Sequence, residues 1–178
     1  MTPLRLDRDG VLEYQQNRDP YLFIDVAEEV IPGVSAKGFR QLKQDDWFFK
    51  VHWPSDPNMP GMLQVEALIQ LCALTVLTLP GNKGKIVYVT SLNHIKLSEK
   101  VLPGDRFEMV TELHSWRRGI GQCSGTGSVR GKVACRAEFN IVVPSILEQY
   151  RVGSRSPDGS RPEPRGSDDA TKPVSPSR

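Results

Sequence analysis

The chain of 178 residues suits one domain of ordinary size, about 100–200 residues, with room for a tail. Its 23 Lys and Arg nearly balance 21 Asp and Glu. Residues 151–178 hold six basic and four acidic side chains, so residues 1–150 are neutral and offer no broad basic field for nucleic acid.

Cys72, Cys123 and Cys135 are odd in number and lack close metal-type spacing, and only three histidines could join them. A disulfide scaffold and a metal site are therefore not expected, and a reducing compartment, the cytoplasm, is. Met1 to Gly10 carries charges where a signal peptide needs an apolar stretch, so export is not expected, and residues 1–19 read as a lead-in.

From there the pattern is strand-rich with one helix. Tyr21–Ile31 and Val34–Leu42 read as a hairpin turning at Pro32–Gly33. Phe48–Lys50 reads as a short strand entering a Pro-rich loop, Trp53 to Gly61. Met62–Leu79 is the strongest apolar run and stops at Pro80–Gly81. It contains Gln64, Glu66 and Gln70 and lacks basic anchors, so it reads as a buried core helix and not a membrane span.

Strands are expected over Lys85–Leu97, Arg106–Trp116, Gly121–Arg130 and Lys132–Val143, with turns at Gly119 and Arg130–Gly131. In residues 151–178, half of the positions are Ser, Gly or Pro, which predicts a disordered tail. A helix apolar nearly all round must be covered by the sheet, and consecutive hairpins make that sheet antiparallel. The expected class is α+β, one domain over residues 20–150, with a curved antiparallel sheet wrapped around a central helix.

Glu66 is the single formal charge in that helix. A buried carboxylate is costly unless paired or protonated, so it is either a functional acid or a carboxylate snorkelling near the helix N-terminus. Gln70, one turn on, lies on the same face and either orients it or is a satisfied polar residue. His52 sits among Trp47, Phe48, Phe49 and Trp53, ahead of Pro60-Gly61, whose helix start offers free N–H groups. A base, an acid and an anion-binding helix start within fifteen residues form a plausible reaction centre. His94 and His114 fall in strand patterns and read as structural.

The segment His52-Trp53-Pro54-Ser55-Asp56-Pro57-Asn58-Met59-Pro60-Gly61-Met62-Leu63-Gln64-Val65-Glu66-Ala67-Leu68-Ile69-Gln70 resembles the signature of the 3-hydroxyacyl-carrier-protein dehydratases. Their pattern is His-aromatic-Pro, then Pro-Gly, then a helix with Glu-Ala and Gln. The likeness continues through Val101-Leu102-Pro103-Gly104-Asp105, Arg117-Arg118-Gly119 and Gly131-Lys132-Val133.

The resemblance implies a hotdog fold and a dehydration needing no cofactor. It implies that His52 removes the proton next to the thioester carbonyl. Glu66 of a partner subunit would protonate the departing 3-hydroxyl, and the Gly61 N–H would bind the thioester oxygen. An imidazole titrates near neutrality, as a base should, and an apolar setting makes a carboxyl a better acid. The implied partners are an acyl carrier protein and a second copy of the chain, and Lys96, Lys100, Arg117 and Arg118 are either contacts for the carrier protein or an ordinary solvated face.

Glu at position 66 matches the simple dehydratases, whereas Ser55 to Gly61 and Trp47-Phe48-Phe49 look more like the dehydratase–isomerase branch. Val51 and Ser55 stand where common dehydratases have Gly, so a left-handed backbone at Val51 would be strained. Two other readings stand beside this one: a hotdog thioesterase, and a non-catalytic module that binds acyl-carrier proteins.

Overall fold

The computed structural model describes residues 2–152. In chain order the elements are β1 (Leu4–Leu6), α1 (Arg8–Tyr14), β2 (Val26–Ile31), β3 (Ser35–Gln41), α2 (Trp47–Val51), α3 (Gly61–Leu77), β4 (Tyr88–Leu97), β5 (Arg106–Arg117), β6 (Ile120–Val129), β7 (Lys132–Val142) and α4 (Pro144–Val152). One seven-stranded sheet runs β1-β2-β3-β5-β6-β7-β4, and all its pairs are antiparallel.

Helix α3 packs on β2, β3, β5, β6 and β7. Thirteen of its 17 residues are buried, so it is covered on nearly all sides, as its apolar sequence requires. The strands supply the cover by alternation. Phe107, Met109, Thr111 and Leu113 of β5 face inward between exposed neighbours, and Cys135, Ala137, Phe139 and Ile141 of β7 form the corresponding buried row. Glycine sets how closely helix and sheet approach: a Cβ on Gly125 would stand 3.1 Å from the Cβ of Leu68. This is the α+β architecture expected, a sheet laid around one central helix.

Several local expectations are corrected. Phe48–Lys50 is not a strand but part of α2. Phe48 and Phe49 are both buried, at 1% and 4% exposure, and a strand would turn one of them outward. One helical turn lets both pack inward, and His52 N–H closes it on the Phe48 carbonyl at 2.8 Å.

The first hairpin strand starts at Val26 and not at Tyr21, because the Phe23 N–H bonds to the side chain of Gln70 and not to a neighbouring strand. The lead-in 1–19 carries two elements. β1 pairs with β2 at the sheet edge, and α1 is capped by Asp7, whose carboxylate accepts from Gly10 N–H at 2.9 Å. Helix α4 also lay outside the sequence reading; it opens on Pro144, favourable at a first helical position. The expected disordered tail lies outside the described residues, apart from Arg151 and Val152, whose backbone ends α4.

β4 forms the far edge of the sheet and, among the described residues, pairs only with β7. It exposes Tyr88, Val89, Ile95 and Leu97, each at least 38% accessible. An edge strand with this much apolar surface invites pairing. No helix among the described residues is long and apolar enough to cross a membrane.

Candidate active site

His52 sits at the C-terminal cap of α2, where the chain leaves the aromatic cluster of Phe23, Phe48 and Phe49. Its Nδ1 lies 3.1 Å from the Asn58 carbonyl. A carbonyl only accepts, so Nδ1 carries the hydrogen and Nε2 keeps its lone pair in the neutral ring. Trp53 follows at φ 53°, in the left-handed region that bulky residues avoid. Its indole stacks on the imidazole, with centroids 4.2 Å apart and planes inclined by 24°. Strain of this kind concentrates at functional sites. Val51 carries none: it lies within α2 and, like Ser55, has no positive φ.

The loop folds back on itself through Met59 N–H, which donates to the Val101 carbonyl at 2.8 Å, and through Lys100, whose Nζ is 2.6 Å from Asp56. His52 and Gly61 line one cavity of about 370 Å³ together with Gln64 and Leu97. Gly61 is the first residue of α3, so its N–H has no partner within the helix. A Cβ there would run into the Leu97 side chain and crowd the cavity.

Glu66 lies five residues further, about 140° around a helix that turns roughly 100° per residue. It opens on a second cavity, of about 340 Å³, with Ile69, Ala73 and Leu77 along the helix and Ile86, Tyr88 and Val89 opposite. Gln70 orients it: Nε2 donates to Glu66 Oε1 at 3.0 Å and to the Tyr21 carbonyl at 2.8 Å, while Oε1 accepts from Phe23 N–H at 2.9 Å. Burial pushes the Glu66 carboxyl above the ordinary carboxylate range, and the Gln70 bond only partly offsets this. Glu66 is half-buried and bonded to Gln70, which a fully solvated snorkel would not be.

Within one chain, then, His52 and Gly61 share one cavity while Glu66 and Gln70 belong to another. The basic residues also divide. Lys96 is opposite Arg136 at one end of β4, and Lys100 lines the His52 cavity. Arg117 and Arg118 stand at the β5–β6 turn, in the row of Ile120, Val142 and Tyr88 at the other end of β4. A ten-residue strand separates these ends by about 30 Å. His94 and His114 lie on exposed sheet positions, bonded to Glu138 at 2.9 Å and Ser124 at 2.8 Å. Among the described residues no cluster of three His, Cys, Asp or Glu side chains is placed to hold a metal ion.

Gln64 and Trp53 stand in the sequence motif without an assigned role. An amide one turn into an apolar helix was the available signal for Gln64. Nothing in the sequence marks the Asn58 carbonyl, because its role belongs to the backbone.

The antiparallel sheet wrapped around one buried helix is the hotdog architecture. Residues 17–138 match the model of the FabA-like domain. The 3-hydroxyacyl-[acyl-carrier-protein] dehydratase FabZ of Clostridium novyi is 36% identical over 137 residues, covering 74% of this chain and 96% of that protein. FabZ of Roseiflexus castenholzii is 38% identical over 123 residues, 69% of this chain and 86% of its own. The chain belongs to the FabA-like dehydratase family. Among solved structures, the dehydratase heterocomplex ApeI:P from Xenorhabdus doucetiae aligns at TM-score 0.67 and 14% identity, covering 82% of this chain and 97% of that one, a likeness of fold.

Proposed function

We propose that this protein dehydrates (3R)-3-hydroxyacyl thioesters on an acyl carrier protein to trans-2-enoyl thioesters in fatty-acid or polyketide-type biosynthesis. The observation that carries the reading is the His52 ring: its Nδ1–H is committed to the Asn58 carbonyl, and its cavity also holds the start of α3. His52 Nε2 takes the proton from C2, and the thioester oxygen gains negative charge against the Gly61 N–H. The C2 electron pair then forms the double bond to C3. The C3–O bond breaks, and Glu66 gives its proton to the departing hydroxyl, which leaves as water. A carboxyl raised by burial keeps that proton near neutral pH better than an ordinary one.

The separation of the two groups supports a shared site, with His52 from one subunit and Glu66 from another. The apolar β4 edge is the surface on which a second copy would pair, making a homodimer the smallest working unit. In that arrangement Lys96 and Lys100 of one subunit and Arg117 and Arg118 of the other can flank one entrance. An acidic carrier protein would meet them there. Three buried free thiols fit a reducing cytoplasm.

The test is to incubate the protein with 3-hydroxyacyl-carrier thioesters of several chain lengths and resolve the products by mass. Loss of water is the expected result. Released free acid would indicate a thioesterase, and an unchanged thioester at every length would leave a binding module; either outcome overturns the proposal.

A further inference from the structure

Gln64 stands one turn into α3 and is only 4% exposed. Its Nε2 donates to the Met59 carbonyl at 3.1 Å, while its Oε1 is buried with no hydrogen-bond partner among the described residues. An apolar side chain of similar length would fill the same space with no unpaired Oε1, but it would take the donor from the Met59 carbonyl, so the amide is accounted for by its bond to the loop and not by packing. What the amide secures is the loop. Met59 N–H is bound to the Val101 carbonyl at 2.8 Å, and Gln64 holds the other side of the same residue. The preceding carbonyl, that of Asn58, is the one that receives His52 Nδ1.

We propose that Gln64 is a positioning residue for His52. By pinning Met59 it holds the Asn58 carbonyl in the place that keeps the imidazole protonated on Nδ1. The basic Nε2 is thereby tied to α3, the same rigid element that presents the Gly61 N–H. A base and an anion donor on one rigid frame need no rearrangement when charge moves between them. The effect on turnover rests on the dehydratase reading, whereas the effect on the tautomer does not.

Nitrogen NMR of histidine-labelled protein reads the tautomer directly, because the chain has only three histidines and His52→Ala identifies the relevant signal. The wild type should show His52 protonated on Nδ1. Gln64→Met should give a mixture of tautomers, with kcat lowered about tenfold to a hundredfold and KM little changed. Gln64→Leu serves the same purpose should the first variant fold poorly. A wild-type ring protonated on Nε2 would overturn the proposal. So would a folded variant that keeps the Nδ1–H signal, or one that loses it at unchanged kcat. If the wild type turns over no thioester, the dehydratase reading fails, and the tautomer spectra still decide the role of Gln64.

Discussion

The two cavities beside α3 are built by different means. The His52 cavity is made of loop: its key contact is a backbone carbonyl, and its walls are Trp53, Leu97 and the helix start. The Glu66 cavity runs along the side of α3, with Lys85 to Val89 opposite, and its key contact is a side chain, Gln70, that is 2% exposed and tied to Tyr21, Phe23 and Glu66 at once. A base needs one nitrogen fixed and the other free, which a single carbonyl achieves. An acid needs its charged form disfavoured, which takes burial. On the proposed reading the two groups, separate in one chain, meet in a site completed by a second copy.

The contrast is sharpest at the base. His52→Ala should lower turnover about 10²–10⁴-fold while leaving thermal unfolding close to wild type, since the ring is only half-buried and makes one hydrogen bond. A variant with near-normal kcat would remove His52 from the mechanism.

On the acid side the same kind of change should reach the fold as well. Gln70→Leu strands the buried Phe23 N–H, at about 1–3 kcal/mol, and takes a donor from the part-buried Tyr21 carbonyl, at about 1 kcal/mol. Urea denaturation should therefore show a stability loss of about 2–4 kcal/mol together with reduced turnover. Unchanged stability would mean that the Gln70 network does not hold the site.

The smallest effect concerns Glu66 itself and runs opposite to its effect on activity. Its folded carboxyl lies above the ordinary range, so the native state binds this proton more tightly than the unfolded chain does. The resulting stabilisation is present below the ordinary carboxylate value and is lost as pH rises through the raised native one. Glu66→Gln has no such loss. It should abolish dehydration, resist urea better than wild type at neutral pH, and lose that advantage near about pH 4. Equal differences at both pH values would contradict the raised carboxyl.

The central helix and the four later strands were legible because long apolar or alternating runs leave few alternatives. Phe48-Phe49 misled because two adjacent aromatics suit a buried strand as well as a helical turn, and their common burial decides between them only in three dimensions. β1, α1 and α4 escaped because they are short and mixed in polarity, so their own sequences carry little periodic signal. Of the site, the chemical types at His52, Glu66, Gly61 and Gln70 could be read. Their division between two cavities could not, since it follows from the angle around α3 and the path of the loop.

Subunit complementation tests the shared site most directly. His52→Ala and Glu66→Gln chains, each inactive alone, are mixed under conditions that exchange subunits, and the mixed species is isolated with two different affinity tags. A heterodimer has one site with both wild-type residues, so activity should return to about half of the wild-type rate per dimer. An isolated heterodimer as inactive as its parents would show that His52 and Glu66 do not meet across subunits.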